Sequence, residues 1–237
     1  MATNKRPRIL LNMVVENLRN REWEAIISKY PQRVAAAGGL PILMPSLQDE
    51  DLVSQYLDNA DGVIFIGGPD YHPKYFSEEP HPETNLKRLR PEFDIFFGKM
   101  VMQRDMPVLG ICAGCQLLNI INGGKLIQHL DNYTEHKGGV SHYARVIADG
   151  YFARAVNRKC GESLTVNSFH HQAVDKNFVG KNLQITAEAF DGTVEALEVP
   201  GDRMVLGVQF HPERMDDLAP GIFNLLIEEA RKFAEGK

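Results

Sequence analysis

The sequence predicts an α/β fold in which helices cover both faces of a mostly parallel central sheet, giving three layers. Strand-like and helix-like segments alternate along the first half of the chain, at an interval typical of parallel, doubly wound sheets. Residues 108–111 and 205–210 are apolar runs of the kind expected for strands that are buried on both faces. The second half contains several strand-like segments joined by short turns, which predicts additional antiparallel strands.

The strands and helices of the first half are predicted from apolar runs and from the residues at which these runs end. Strands are predicted at residues 8–12, 41–44 and 62–66, and helices at residues 22–37, 49–59 and 91–103. Gly38 and Gly39 end the first of these helices, in which Trp23 is interpreted as a packing residue. Residues 13–20 are interpreted as a polar connection, and residues 71–90 as a long loop that covers the site.

The second half is predicted to end in a closing helix. Its strands are expected at residues 143–147, 163–170, 183–190, 194–199 and 204–210, and the amphipathic helix at residues 216–234.

Length and composition predict a single domain over residues 1–237. Of these residues 43% are hydrophobic and 24% are charged, which is ordinary for a globular protein. A chain of this length buries about 70–75% of its unfolded surface in one domain, and no repeat or linker divides it. The formal charge of −5 disfavours a nucleic-acid partner, because binding phosphates requires clustered Lys and Arg.

No membrane partner is expected either. The sequence has no apolar run long enough to cross a bilayer, and its polar, basic start lacks the apolar core of a signal peptide. The odd number of cysteines, three, gives no disulfide framework. These observations predict a cytoplasmic location.

Cys112 lies at the join between the strand at 108–111 and a helix that begins near Gln116. At such a sharp turn the following backbone N–H groups and the helix dipole favour a thiolate. Gly110 and Gly114 flank it, where a side chain would obstruct the approach of strand and helix. The pattern Gly-x-Cys-x-Gly is the cysteine form of a nucleophile elbow. A buried structural cysteine is the alternative interpretation.

A base for this thiol is predicted at the end of the strand at 204–210. His211 and Glu213 are two residues apart, so that in an extended segment both side chains point to one side, and Pro212 fixes the backbone between them. A thiol nucleophile requires a base, and the base requires a third group that sets its tautomer. Cys112, His211 and Glu213 therefore predict a catalytic triad. The alternative is an ordinary surface turn.

Other cysteines and histidines do not predict a metal site. Cys112 and Cys115 form Cys-x-x-Cys, which would allow a redox pair or half of a zinc site, but no second such pair exists. Cys115 is interpreted as a small apolar residue. His72 and His81 have no partner at ligand spacing, and the histidines at 129, 136 and 142 are scattered. We expect no metal and no organic cofactor.

These motifs together resemble the class I glutamine amidotransferase superfamily, and more narrowly its peptidase C26 branch of γ-glutamyl-γ-aminobutyrate hydrolase-like enzymes. The motifs are Gly-Ile-Cys-x-Gly around Cys112, Asn-Ser-Phe-His-His-Gln at 167–172 and Gly-Val-Gln-Phe-His-Pro-Glu at 207–213. The resemblance covers roughly residues 8–233 and implies the flavodoxin-like fold of that superfamily. It also implies a strand at 126–130 and an exposed loop near the site at 138–143.

The resemblance implies roles for several further residues. The Gly68 and Ala113 N–H groups are expected to form the oxyanion hole. Gly67 is expected to contact substrate, and Gln116 to position the γ-glutamyl group. Two features depart from the branch: Ala113 stands where arginine is usual, and Pro69-Asp-Tyr-His-Pro73 stands where Gly-Asp-Val-Asp-Pro is usual. Because a guanidinium is a fixed planar donor, the substrate's carboxylate or amine half is expected to be bound differently here.

The segment at 167–172 offers paired histidines after another strand. His211 already has an orienting carboxylate, whereas His171 has none in the sequence. The segment at 168–172, with Ser168, His170 and His171 as its candidate binding residues, is therefore assigned to substrate contact or to the wall of the site, and a packed structural role is left open.

The predicted function is hydrolysis of a γ-glutamyl amide, such as γ-glutamyl-γ-aminobutyrate or glutamine, through a thioester on Cys112. The partner is then a small γ-glutamyl molecule, and a homodimer is compatible with the sequence. One alternative is a glutaminase subunit that delivers ammonia to a separate synthetase. Another is a binding or regulatory protein without turnover, against which the intact triad argues.

Overall fold

The computed structural model describes residues 5–86 and 90–236. In chain order, the strands are β1 Arg8–Leu11, β2 Val14–Leu18, β3 Arg21–Ala25, β4 Leu40–Leu43, β5 Gly62–Phe65, β6 Val108–Ile111, β7 Leu126–Ile127, β8 Val140–Val146, β9 Ser163–Ser168, β10 Ala173–Val174, β11 Gln184–Ala189, β12 Val194–Glu198 and β13 Val205–Val208. The α-helices are α1 Lys29–Ala36, α2 Glu50–Asp58, α3 Glu92–Met102, α4 Ala113–Ile121, α5 Tyr151–Val156 and α6 Ala219–Glu235.

A nine-stranded sheet forms the centre of the fold, in the order β4-β1-β5-β6-β13-β12-β11-β8-β9. The strands from β4 to β13 pair in parallel, and those from β12 to β9 pair antiparallel. The sequence-based prediction of a mostly parallel sheet with added antiparallel strands is therefore correct. The carboxyl ends of β5, β6 and β13 are neighbours, which places the residues that follow them at one edge of the sheet.

Two apolar cores cover the two faces of the sheet. Successive side chains of β1 alternate between them, with Ile9 and Leu11 in one core and Leu10 in the other. Helices α1, α5 and α6 contribute to the first core, and α2, α3 and α4 to the second. This distribution gives the expected three layers. Among the described residues, no helix is long and apolar enough to span a bilayer.

The helix predicted at residues 22–37 is wrong in its first half. Residues 14–25 form a β-hairpin, β2 with β3, and the helix begins only at Lys29. Arg19 and Asn20 at the turn have φ of 52° and 59°, the pair of positive values that a tight type I′ hairpin requires. The interpretation of residues 13–20 as a connection is wrong for the same reason. Trp23 is consequently 53% exposed on the hairpin instead of packed in a helix.

Three further differences concern the second half and the long loop. The predicted loop at 138–143 is mostly strand, because β8 begins at Val140 and pairs with β9. The predicted strand at 126–130 is reduced to β7, which pairs with β10 outside the main sheet. Helix α5 has no counterpart among the predicted elements, since its six residues are too short to establish a helical period. The loop at 71–90 contains a 3₁₀ turn, Pro73–Phe76, and its residues 87–89 lie outside the described part.

Candidate active site

Cys112 lies at a sharp turn between β6 and α4. Its φ is 52°, in the region that side chains rarely adopt, and it is only 5% exposed. The Cys112 N–H donates to Val208 O at 2.8 Å, which ties the turn to β13. A Cβ on Gly110 would lie 2.5 Å from the carbonyl oxygen of Gly114, and one on Gly114 would overlap Phe65 O. The two flanking glycines are therefore required for the close approach of strand and helix.

His211 and Glu213 follow the end of β13, next to this turn. His211 Nδ1 lies 2.7 Å from Glu213 Oε1, and the Glu213 side chain is fully buried. Asn167 on β9 holds the His211 backbone: its amide nitrogen donates to His211 O, and its oxygen accepts from His211 N, both at 2.9 Å. The contact between imidazole and carboxylate forms across a 3₁₀ turn, Pro212–Arg214, and not within the extended segment assumed from the sequence.

The charge state of His211 is set by the sulfur beside it. Burial alone would lower the pKa of this imidazole. The negative charge of Cys112, the hydrogen bond to its sulfur and the bond to Glu213 outweigh burial and raise the pKa of His211 to about 10. These contacts favour the charged form of His211, and an imidazolium in turn stabilises a neighbouring thiolate, the form in which a cysteine is nucleophilic.

We expect the Cys112→Ala substitution to lower the pKa of His211. The thiolate favours the charged imidazole, so its removal leaves burial opposed by Glu213 alone, and deprotonation shifts to lower pH. NMR titration of the His211 ring resonances in the parent and in the variant measures this change. Cys160→Ala, which alters an exposed thiol, serves as the control and should leave the titration unchanged. Equal His211 pKa values in parent and Cys112→Ala would contradict the ion pair.

Helix α1 supports the same residues from behind. The Gly67 N–H donates to the buried Tyr30 hydroxyl at 3.1 Å, and this hydroxyl lies 3.4 Å from His211 Nδ1. Burial, followed by the charges of Glu213 and Cys112, raises the pKa of Tyr30, which keeps the phenol protonated. Arg33 Nε donates to Glu213 O at 3.1 Å. Sequence reasoning did not find Tyr30, because no motif surrounds it and its partners are remote along the chain.

The loop after β5 is held by a buried polar network centred on Asp94. The Asp94 carboxylate accepts from Asn12 at 2.8 Å, from the Tyr71 hydroxyl at 2.9 Å and from Arg90 Nε at 2.5 Å. Asn12 Oδ1 in turn accepts from Ile66 N at 2.8 Å. Removing any of these groups would leave a buried charge or amide without its partner, which is costly. The network therefore fixes the backbone that leads into Gly67 and Gly68.

An amide pair lies beside the sulfur. Gln209 Nε2 is 3.7 Å from Cys112 Sγ, and Gln209 Oε1 accepts from Gln116 Nε2 at 3.2 Å. Gln116 also donates to Gln172 O at 3.1 Å and is only 3% exposed. Gln116 is thus linked to the Cys112 sulfur through Gln209, a residue that the sequence-based assignment did not include.

A cavity of about 490 Å³ opens beside Cys112 and His211. The predicted residues Gly67 and Gly68 form part of its lining. Phe169, which belongs to the segment assigned to substrate contact or to the wall, forms another wall, and the β2–β3 hairpin and Arg214 form walls that were not predicted. The Arg214 guanidinium stacks 4.2 Å from the Phe169 ring centroid, and its Nε lies 3.5 Å from Glu213 Oε1. The guanidinium of Arg214 therefore lines the cavity. It is present although this chain has alanine at position 113, where arginine is usual.

The remaining predicted substrate residues lie elsewhere. Gln116, Ser168 and His170 are buried and are not part of the cavity lining. His171 Nε2 lies 3.2 Å from both carboxylate oxygens of Asp70, whose hydrogen bond raises the pKa of His171 more than burial lowers it. A direct substrate contact of these four residues stays a prediction.

Cys115 lies in the core under β13. It is fully buried, and a Cβ on Gly207 would come within 2.9 Å of its sulfur. Burial, followed by the nearby charge of Cys112, raises the pKa of the Cys115 thiol. This position suits the small apolar residue expected from the sequence.

Comparison with known proteins identifies a matching family and several related sequences. The sequence model of the peptidase C26 family matches residues 9–213. A Mycobacterium tuberculosis protein, named provisionally as a glutamine amidotransferase, is 36% identical over 239 residues, which cover 97% of this chain and 76% of the relative. The gamma-glutamyl-gamma-aminobutyrate hydrolase PuuD of Escherichia coli K12 is 28% identical over 221 residues, covering 87% of this chain and 85% of the relative.

A solved structure shares the fold. A Thermoplasma acidophilum protein, described provisionally as a GMP synthase subunit, superposes with a TM-score of 0.68 at 18% identity, and 98% of each chain is covered. This likeness confirms the predicted three-layer α/β fold.

Proposed function

Because the chain belongs to the peptidase C26 family, we propose that it hydrolyses a γ-glutamyl amide through a thioester on Cys112. The family membership confirms the resemblance found in the motifs, and relatives named as hydrolases support hydrolase activity. The observation that carries the finer proposal is the meeting of three groups at the carboxyl ends of β6 and β13. There Cys112 and His211 line the same cavity, and His211 Nδ1 lies 2.7 Å from Glu213 Oε1.

The proposed acylation step uses the ion pair directly. The Cys112 thiolate attacks the γ-carbonyl carbon, and a carbon–sulfur bond forms as the carbonyl oxygen becomes an oxyanion. When this tetrahedral species collapses, the carbon–nitrogen bond breaks, and His211 donates its proton to the departing amine. Glu213 stays ionised and holds the tautomer and orientation of His211.

Deacylation reverses the role of the imidazole. Neutral His211 takes a proton from water, and the resulting hydroxide attacks the thioester. The carbon–sulfur bond breaks, glutamate leaves, and the thiolate and imidazolium are restored. The overall reaction consumes one water and yields glutamate and an amine.

The contacts of the glycine loop support Gly68 and Ala113 as donors to the oxyanion. The Gly67 N–H already donates to Tyr30, whereas Gly68 is exposed at the cavity. Ala113 is the first residue of α4, where backbone N–H groups have no intrahelical acceptor. Donors of this kind stabilise charge that develops only in the transition state.

The Gly68→Ala substitution is expected to lower kcat by about a hundred- to a thousandfold, the cost of losing one oxyanion donor. The new Cβ would lie 2.6 Å from Arg90 Nη1 and 2.9 Å from Val14 Cγ1. Arg90 is held in its buried ion pair with Asp94, so the loop must shift and misplace the Gly68 N–H. Steady-state kinetics measure the effect. Gly236→Ala, where the Cβ meets only ordinary contacts, is the matched control. A Gly68→Ala variant with the kcat of the parent would contradict the assignment.

The thioester itself is testable by trapping. The parent, mixed with a γ-glutamyl amide and quenched in acid, should gain the mass of one γ-glutamyl group on the peptide that contains Cys112. The same treatment of Cys112→Ala should give no adduct. An adduct on any other residue, or hydrolysis without an adduct under conditions where acylation is fast, would contradict the proposed intermediate.

A second candidate function is release of ammonia from glutamine for a separate synthetase. It is favoured by the relatives that are named provisionally as glutamine amidotransferases. The same triad and oxyanion donors would perform this reaction, because glutamine is itself a γ-glutamyl amide. This second function differs from stand-alone hydrolysis because it requires a partner protein that raises the glutaminase activity.

A further inference from the structure

A cluster of imidazole and carboxylate groups lies between β8, β9 and β12, apart from the cavity lining. His136 precedes β8, His142 lies on β8, His170 follows β9 and Glu195 lies on β12. The nearest ligand atoms of His136, His142 and Glu195 are all within 4.8 Å of one another. The rings of His136 and His170 are 5.0 Å apart. Residues that are scattered along the sequence thus meet in the fold.

The hydrogen bonds leave a lone pair of His170 facing a carboxylate. His170 Nδ1 lies 3.0 Å from Gln172 O, and because a carbonyl only accepts, the ring proton belongs on Nδ1. His170 Nε2 therefore keeps its lone pair, 3.9 Å from Glu195 Oε1. Among the described residues, neither His170 Nε2 nor Glu195 Oε2 has a hydrogen-bond partner. A divalent ion at this point would satisfy both groups.

The spacing of these acceptors suits a metal ion. Ligand atoms about 2.1 Å from a tetrahedral Zn²⁺ lie about 3.4 Å from one another. The distance from Glu195 Oε1 is 3.0 Å to His142 Nε2 and 3.9 Å to His170 Nε2, so the two values bracket the tetrahedral separation. Two imidazoles and one carboxylate are a donor set typical of divalent zinc.

The surroundings resemble the outer contacts of metal sites. A metal-binding histidine usually donates its second ring nitrogen to a carbonyl or carboxylate, as His170 Nδ1 does to Gln172 O. The adjacent His136 lies 3.1 Å from Ser168 Oγ and 2.7 Å from Asp191 Oδ2, and its ring packs 4.8 Å from that of His142. Glu195 is fully buried, so a divalent ion would balance a carboxylate that water cannot reach.

We propose that His142, His170 and Glu195 bind one divalent transition-metal ion, for which Zn²⁺ is the probe. The ion is structural: it joins β8, β9 and β12 behind the strand that carries His211. Glu195 O accepts from Gln209 N at 2.9 Å, and Asn167 on β9 holds the His211 backbone. An ion bound to Glu195 and to residues next to β9 would therefore stabilise the part of the sheet that positions His211. The proposal does not rest on the hydrolase reaction, and it differs from the expectation, drawn from the sequence, that this chain has no metal site.

Metal binding by the untagged, full-length protein tests the proposal. The protein is treated with a chelator, given Zn²⁺, desalted and assayed for zinc and for Tm. We expect about one zinc per chain and a higher Tm, because an ion that binds only the folded state stabilises it. Glu195→Gln should bind zinc at least about tenfold more weakly. His81→Ala, which removes an exposed histidine, and Cys112→Ala should bind as the parent does.

Cobalt makes the test independent of whether Glu195→Gln folds. Co²⁺ bound to the parent should show d–d absorption without a thiolate charge-transfer band, and Cys112→Ala should give the same spectrum. Three results would overturn the proposal: a parent that binds no zinc and shows no change in Tm, a folded Glu195→Gln variant with the affinity of the parent, or loss of zinc in Cys112→Ala. The last would place the ion on the catalytic thiol.

Discussion

Replacing Cys112 with alanine is expected to reduce kcat for a γ-glutamyl amide by about a thousandfold or more, because the only atom that forms the covalent bond is removed. The oxyanion donors and His211 remain, so any residual rate reflects water attack assisted by the rest of the site. The fold should be retained, since alanine keeps the Cβ of the strained turn and deletes one buried sulfur. Steady-state kinetics and the Tm measure the two effects separately.

The control for this substitution is Cys160→Ala. Cys160 is exposed and is not among the residues that line the cavity, so its variant should keep the kcat and Tm of the parent. If Cys112→Ala instead retained more than about a tenth of the parent rate, a nucleophile other than Cys112 would have to be sought.

The Glu213→Gln substitution is expected to lower kcat by about a thousand- to ten-thousandfold. The carboxylate accepts from His211 Nδ1 at 2.7 Å, so the lone pair of neutral His211, the form that activates water, stays on Nε2. An amide of the same shape can present its NH₂ group to Nδ1, which selects the wrong tautomer and no longer stabilises the imidazolium. The loss should fall on kcat, because Glu213 is buried and does not line the cavity.

The matched control is Glu228→Gln on the exposed face of α6. Glu228 pairs with Lys232 at the surface, a contact that contributes little to stability. Its variant should match the parent in kcat and Tm. A Glu213→Gln enzyme with a kcat within tenfold of the parent would show that His211 acts without an orienting carboxylate.

The part of the site that could be predicted from the sequence is the part that depends on parallel strands. Cys112 and His211 each follow a continuous apolar run, and β6 and β13 are neighbours in register, with Ile111 opposite Val208. Residues that follow the carboxyl ends of such strands meet at one edge whatever the helices between them do. The number of residues between Cys112 and His211 does not by itself predict that β6 and β13 are neighbours.

The walls of the cavity could not be predicted in the same way. The segment at 14–25 does not alternate regularly between apolar and polar residues, and its turn, Arg19-Asn20, lacks the glycine that usually marks a two-residue hairpin loop. The hairpin is visible only in the structure, in the pairing of β2 with β3 and in the positive φ of both turn residues. Tyr30 also could not be predicted as a site residue. Its contacts with Gly67 and His211 join parts of the chain that are far apart in the sequence, and no sequence pattern indicates them.

The histidine cluster is the feature of the fold that could least be predicted from the sequence. His136, His142, His170 and Glu195 lie on four separate segments, with none of the short ligand spacings by which zinc sites are found in sequences. They meet because β8 pairs with both β9 and β11, and β11 pairs with β12. Antiparallel pairing of this kind brings together residues whose separation along the chain is arbitrary.

Glutamate release by the purified chain tests the central claim most directly. The parent and Cys112→Ala are assayed against glutamine and a panel of γ-glutamyl amines, including γ-glutamyl-γ-aminobutyrate. We expect the parent to release glutamate from at least one γ-glutamyl amine faster than from glutamine, and Cys112→Ala to release none. If the parent released glutamate from nothing in the panel, the hydrolase function would be contradicted, whereas glutamine as the single substrate would favour the synthetase-associated alternative.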